Sequence, residues 1–369
     1  MSWFYRNVAR PFLFMQDSEH IHDRTLRTLA VVAQSRALCR GLGGILGAPA
    51  LPVRCFGLDF PNPVGLAAGM DKGAVAVPVW ESMGFGFAEL GGVTLHAQPG
   101  NPQPRMFRAP AEAALINRMG FNNPGAADLA ERLAAWHARG LWPSHPVGIN
   151  LGKSKITPLG AAASDYAGSF RLLWALADFF VVNVSSPNTP NLRQLQDRGA
   201  LDEILDALQS ANDELSAAHR AVPKPILVKV APDLSFEALD DVVSLVGPRR
   251  LAGIVATNTT LARPATDDAV ARIVYRETGG LSGRPLARRS TEVVRHLYRQ
   301  TRGTVPIIGV GGISGVDDAW EKVTSGATLV QVYSALVYEG PGLPGELVRG
   351  LLDRLGGGRW ADAVGSAVR

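Results

Sequence analysis

Cysteine is nearly absent: the 369 residues contain two, Cys39 and Cys55. That number excludes a disulfide framework, and their spacing fits no zinc site, so a reducing compartment is the default. The seven histidines are scattered, and only His20 and His22 stand close together. No metal site is expected. No uncharged apolar run reaches the roughly 18 residues that a membrane-spanning helix needs. The opening stretch MSWFYRNVARPFLFMQDSEH lacks a continuous apolar core and a small-residue cleavage site, which argues against a secretory leader. A net charge of +4 is mild. Taken alone it leaves open nucleic acid, an anionic membrane surface or an acidic substrate.

What the chain does have is a regular series of short apolar runs that end in Gly, Thr, Ser or Ala. They are Pro63–Gly69, Gly86–Thr94, Pro146–Gly152, Phe179–Ser185, Pro225–Ala231, Ala252–Thr257, Val305–Gly312 and Ala327–Ser334. Stretches such as FFVVNVS and VPIIGVGG are β-rich without polar alternation, the pattern of parallel strands buried on both faces. Helical patterns with caps lie between them. Asn123-Pro124 is expected to open a helix that Gly140 closes, and Ser235 and Ser314 are expected to cap two more. Eight strands alternating with helices predict an α/β fold, a (β/α)8 barrel over residues 46–369. A doubly wound open sheet is the alternative, but its G-x-G-x-x-G fingerprint after the first strand is missing.

Residues 1–45 fall outside this alternation. They carry six arginines, three acids and no lysine among large apolar residues, and Leu26, Leu29, Ala30 and Ala33 follow helical spacing. Two short amphipathic helices are predicted, either packed against the barrel or lying on a membrane surface.

In a barrel the C-terminal strand ends build the active site. Here those ends carry Lys72, Asn150, Asn183, Lys229, Thr257-Asn258-Thr259, Gly311-Gly312 and Tyr333-Ser334, and the loop after the second strand adds INRMGFNN, residues 116–123. Buried amides and ammonium groups need partners. A ligand with imide edges and developing negative charge would supply them. The glycines after the seventh strand and the Ser334 hydroxyl mark the usual phosphate position of such barrels, with Gly279–Gly283 as a loop able to cover it. No paired carboxylates and no strand-end acid or histidine are read here, which argues against glycosidase, metal-hydrolase and triad chemistry. A cofactor that does the electronic work itself is implied, and flavin mononucleotide (FMN) fits.

Ten motifs in order, NPVGLAAGMDK, QPGNPQPRMFR, INRMGFNN, GINLGK, NVSSPNTPNLR, VKVAPD, VATNTT, GGLSGRPL, IIGVGGI and LVQVYS, resemble those of class 2 dihydroorotate dehydrogenases, the quinone-reducing, membrane-associated kind. The resemblance runs from about Phe12 to Gly340. It implies one FMN held by Ala68, Gly69, Lys72, Asn150, Asn183, Lys229, Thr257, Gly283, Gly312, Tyr333 and Ser334. It implies dihydroorotate held by Lys72, Asn117, Arg118, Met119, Gly120, Phe121, Asn183, Asn188, Asn258 and Thr259. Ser186 stands where that family has its catalytic base. A lone hydroxyl is a poor proton acceptor, so Ser186 is expected to hand its own proton to Thr189 or to an ordered water, while Lys72 and the ring-binding asparagines stabilise developing enolate charge. A C5 proton would leave to the base and a C6 hydride to the flavin, giving orotate in pyrimidine biosynthesis.

The same resemblance makes residues 1–45 a quinone tunnel and membrane contact, with His22, Arg108 and Tyr333 lining the path of ubiquinone or menaquinone. It implies a monomer peripheral to the cytoplasmic face of a bacterial cell membrane. Soluble class 1 enzymes carry Cys in place of Ser186, and no Cys follows residue 55 here. Two positions depart from the pattern: Gly92, where a threonine is common, and Val337, where some relatives are polar. An FMN barrel could also act on RNA, or the fold could be a phosphate-binding scaffold without chemistry. The arginines lie beside N-terminal aromatics, which suits a membrane better than a nucleic-acid groove, so no nucleic acid is expected.

Overall fold

The computed structural model describes residues 2–368. Eight strands close into a barrel in which every neighbouring pair is parallel: β1 (Val64–Leu66), β2 (Phe87–Val93), β3 (Val147–Leu151), β4 (Phe179–Asn183), β5 (Ile226–Val230), β6 (Gly253–Ala256), β7 (Ile307–Val310) and β8 (Leu329–Val332). They follow one another around the barrel in chain order, and β8 pairs with β1 to close it. The predicted (β/α)8 barrel is what forms, each strand lying inside one of the eight apolar runs. Burial on both faces explains why those runs show no alternation: all five residues of β4 and of β5 are buried.

The N-terminal end of the barrel is plugged by aromatic rings. The Phe60 and Phe87 rings meet edge to face at 5.3 Å, and Phe179 packs beside Phe87 at 6.4 Å. Glycine makes room for them. A Cβ on Gly65 would stand 2.2 Å from the Phe87 ring, and one on Gly148 2.2 Å from that of Phe179. A short hairpin, Val53–Cys55 with Leu58–Phe60, covers this end. The open cleft of the barrel lies at the opposite end.

Some details differ from expectation. The 126–138 helix starts at Ala126, and its cap position is Gly125, so Pro124 precedes the helix. Ser235 does cap the Phe236–Ser244 helix, accepting from the Ala238 N–H at 3.2 Å. Ser314 caps nothing; instead the Asp318 carboxylate accepts from the Ser314 and Gly315 N–H groups at 2.8 and 3.1 Å. Gly280–Gly283 is not a loop but a strand, antiparallel to Ala114–Asn117, which in turn pairs with Met106–Ala109. This small sheet roofs the barrel mouth.

Ahead of the barrel stand α1 (Ser18–Ala33) and α2 (Arg36–Leu46). Asp17 caps α1 by accepting from the Glu19 and His20 N–H groups, and Ser35 caps α2. A further helical run precedes them, Ser2–Phe4 through Arg10–Phe14, with a wider π turn over Tyr5–Ala9. Two helices were expected where three helical segments occur. The segments are tied to the barrel by a buried ion pair, Glu19 to Arg105 at 2.7 Å, and by the Tyr5 hydroxyl, which donates to the Val337 carbonyl at 2.8 Å.

Candidate active site

The floor of the barrel mouth is organised by a residue that does not stand at a strand end and so was not expected. Glu89 lies in the middle of β2 and is fully buried. Its carboxylate accepts from Asn150 Nδ2 at 2.6 Å and from Gln331 Nε2 at 2.7 Å, and Lys229 Nζ stands 3.5 Å away. A carboxylate only accepts, so each amide must turn its NH2 toward it. Asn150 then offers Oδ1 to Asn183 Nδ2 at 2.9 Å. Asn183 in turn presents Oδ1 to the Ser185 hydroxyl at 3.0 Å and to Asn258 Nδ2 at 3.3 Å. One buried charge thereby sets the direction of amides on β3, β4 and the end of β6. The signal available in the sequence was the lone acid inside FAELGGV.

Two further acids close to strand ends qualify the expected absence of carboxylates. Asp71 is fully buried and accepts from the Val75 and Ala76 N–H groups and from Trp80 Nε1 at 2.8, 2.9 and 3.1 Å. Asp233 pairs with Arg193 at 2.8 Å and accepts from the Leu261 N–H and the Thr260 hydroxyl. Both carboxylates are spent on structure.

Above the floor is a cleft of about 1120 Å³ including its open mouth. Its lining contains Ala68, Gly69, Lys72, Asn150, Asn183, Lys229, Thr257, Gly283, Gly312, Tyr333 and Ser334, together with Asn117, Met119, Gly120, Phe121, Ser186, Asn188, Asn258 and Thr259. Lys72 Nζ donates to Asn122 Oδ1 at 2.8 Å. Burial, and after it the nearby Arg105 charge, pushes the Lys72 ammonium down to about 8. Ser186 is 8% exposed, and its Oγ accepts from the Asn188 N–H at 3.3 Å.

Two of the expected residues lie outside that lining. Arg118 turns away: its guanidinium pairs with Glu277 at 2.6 Å, donates to the Pro104 carbonyl at 2.8 Å and stacks over Phe107 at 4.6 Å. Thr189 is buried behind the Ser186 turn, with its Oγ1 unpartnered among the described residues.

At the β7–β8 side the lining becomes a small cradle of Ser282, Gly283, Gly311, Gly312 and Ser334. The Ser282 and Ser334 hydroxyls are 2.8 Å apart. Gly312 has a φ of +76°, and a Cβ there would stand 2.2 Å from Ala287 Cα, so only glycine permits this approach. Gly92 is also enclosed. A Cβ on it would come within 2.7 Å of the Phe121 ring and 3.0 Å of Asn150 Oδ1. The space a threonine would need there is crowded by Phe121.

A second cavity, about 1320 Å³ and mostly apolar, lies under the N-terminal segments. It is lined by Leu13, Phe14, Ile21, Leu26, Leu29, Leu42 and Leu46, with His22 and Arg108 as its main polar groups. Met106, Leu115 and Tyr333 line both cavities, so these three side chains are the wall between them. Burial and the Lys72 charge push His22 down to about 4, leaving a neutral imidazole at pH 7. Arg108 donates to the Phe14 carbonyl at 3.3 Å and lies over the Phe14 ring at 4.5 Å. Val337 lines this cavity, and its carbonyl receives the Tyr5 hydroxyl.

Fold and site together define a (β/α)8-barrel enzyme whose amide-rich, glycine- and serine-lined mouth shares a wall with an apolar cavity. Residues 50–355 match the family model described as dihydroorotate dehydrogenase. A protein of Gloeobacter violaceus named dihydroorotate dehydrogenase (quinone) is 54% identical over 351 residues, covering 94% of each chain. One of Chloroflexus aurantiacus with the same name is 50% identical, covering 95% of this chain and 96% of that one. The crystal structure of ligand-free DHODH from Eimeria tenella superimposes with a TM-score of 0.84 at 36% identity, covering 96% of this chain and all of that one. This chain belongs to the dihydroorotate dehydrogenase family.

Proposed function

We propose that the chain oxidises dihydroorotate to orotate, the redox step of pyrimidine biosynthesis, using FMN as resident cofactor and passing the electrons to a membrane quinone. The observation that carries this is the shared wall. A polar site suited to a dihydropyrimidine and an apolar cavity suited to a quinone meet at Met106, Leu115 and Tyr333.

The residues present fit FMN. The Ser282–Ser334 cradle suits a phosphate, and the cleft lining leaves buried polar atoms without partners among the described residues: Gln331 Oε1, Asn188 Oδ1 and Thr259 Oγ1. Ala68, Gly69, Asn150, Asn183, Lys229, Thr257, Gly283, Gly312, Tyr333 and Ser334 would hold the cofactor, with Lys72 between it and the substrate. When bound, FMN supplies the two-electron acceptor for the C6 hydride and the donor for the quinone.

The chain's own residues supply position and a proton path. Ser186 takes the C5 proton as it gives up its own hydroxyl proton, to the Thr189 hydroxyl or to a water, from which it passes to solvent. Lys72 stabilises the charge that develops on the substrate as that proton leaves. Asn117, Asn183, Asn188 and Asn258 present amides to the ring and its carboxylate, with Met119, Gly120, Phe121 and Thr259 completing the wall. Arg118 acts from outside, where its ion pair with Glu277 holds that wall in place.

Residues 1–45 form the membrane-facing unit, and 46–369 the barrel. No helix among the described residues is long and apolar enough to cross a membrane. Trp3, Phe12, Met15 and Ile45 are exposed on the N-terminal segments with Arg6, Arg24, Arg27 and Arg40 among them, the mixture of a helix set lying on an anionic bilayer. This mixture supports a peripheral membrane contact, and we place the chain, as a monomer, at the cytoplasmic face of the cell membrane. Purified protein should be yellow with bound FMN and turn over dihydroorotate with ubiquinone or menaquinone analogues. Turnover with fumarate or NAD and none with quinone would refute the proposal.

A further inference from the structure

One buried charge is left without a role in this scheme. Lys322, in the helix Val316–Thr324, is 1% exposed. Its Nζ donates to the Ala287 carbonyl at 3.0 Å, to Thr291 Oγ1 at 2.5 Å and to the Ser290 hydroxyl. All three acceptors are neutral, and among the described residues no carboxylate forms an ion pair with it. Glu321 and Asp318 of its own helix act on it only at longer range. A buried ammonium without a counter-charge is costly, and burial pushes this one down to about 7.

The groups that receive the ammonium are the ones that support the anion cradle. The Ser290 hydroxyl also donates to the Gly311 carbonyl at 2.7 Å. Ala287 is the residue against which Gly312 packs so closely that a Cβ would meet its Cα at 2.2 Å. Lys322 therefore stands one hydrogen-bonded layer behind the Gly311–Gly312 turn, on the side away from the cleft. A dianionic phosphate in the cradle would supply the missing opposite charge.

We propose that Lys322 is the buried counter-charge and positioning residue for the phosphate of the ligand held at the β7–β8 cradle, making the site selective for a phosphomonoester over the same ligand without its phosphate. This rests on the FMN assignment. It adds to that assignment a residue that never touches the ligand and acts through Ser290 and Ala287.

The test compares full-length wild type, Lys322→Met and Ser290→Ala, each stripped of flavin and titrated with FMN or riboflavin by fluorescence quenching. Thermal unfolding of the stripped and FMN-loaded forms is measured in parallel. For Lys322→Met the FMN Kd should rise at least tenfold, while the riboflavin Kd stays within twofold of wild type. Ser290→Ala should show a smaller loss with the same selectivity. The stripped Lys322→Met protein should melt no lower than stripped wild type, because a charge without its partner has been removed, and FMN should raise its Tm by less. Equal weakening of both flavins, or an equal drop in Tm with and without FMN, would make Lys322 a packing residue and overturn the proposal. Failure of Lys322→Met to fold would do the same. Wild type that retains neither flavin would instead overturn the FMN assignment itself.

Discussion

Lys229 Nζ stands 3.5 Å from Glu89 Oε1 at the floor of the barrel mouth, with side-chain exposures of 6% and 0%. The carboxylate also holds Asn150 and Gln331, so one buried anion on β2 aligns residues from three other strands. Removing one member of a buried pair leaves the other uncompensated, at a cost of about 3–5 kcal/mol. Glu89→Gln keeps the shape and removes the charge. Urea unfolding should show a loss in that range together with weakened flavin retention; a loss under about 1 kcal/mol would mean that Lys229 is satisfied without Glu89.

Ser186 lines the cleft, and among the described residues no histidine or carboxylate is hydrogen-bonded to it. Ser186→Ala should slow bleaching of the bound flavin by dihydroorotate about 100-fold or more, as loss of a general base does. Reoxidation by quinone should be unchanged. A bleaching rate within about tenfold of wild type, under about 1.4 kcal/mol of barrier, would remove the base role.

Arg108 belongs to the apolar cavity and not to the polar cleft. Arg108→Leu should therefore separate the half-reactions. Quinone-dependent reoxidation should fall about tenfold or more, while bleaching by dihydroorotate keeps its wild-type rate. Stopped-flow measurement of each half-reaction checks this, and an equal effect on both would place Arg108 in structural support alone.

His22 is held neutral in the folded protein, pushed from 6.5 down to about 4. Between those values the unfolded chain binds a proton that the native chain does not, so stability falls as pH drops from 6.5 toward 4. The penalty is absent above 6.5 and complete below about 4. In His22→Asn the urea midpoint should decline less between pH 7 and pH 5 than in wild type. Parallel declines would show that other groups dominate acid unfolding.

The barrel was legible because β4, β5 and β7 are apolar on both faces, a signal that survives without knowing any partner. The cleft was legible because polar residues at strand ends converge once a barrel is assumed, and most of the residues implied by the family resemblance do line it. What escaped depends on pairing between distant segments. Glu89 reads as one acid in an apolar run until Asn150, Lys229 and Gln331 are seen to turn toward it. Gly280–Gly283 reads as a flexible glycine loop because its strand partner, Ala114–Asn117, lies more than 150 residues away in the chain. Arg118 carries the right charge for a carboxylate ligand, yet Glu277 and Phe107 hold it outside. Asp318 displaced Ser314 as a cap because its carboxylate reaches back to two N–H groups at once.

The most direct test of the account follows the flavin spectrum of the purified protein without oxygen. Dihydroorotate added in stoichiometric amount should bleach the yellow flavin band, and a quinone analogue added afterwards should restore it with orotate as the product. A flavin that stays oxidised in the presence of dihydroorotate, or one that is reduced but not reoxidised by any quinone, would contradict it.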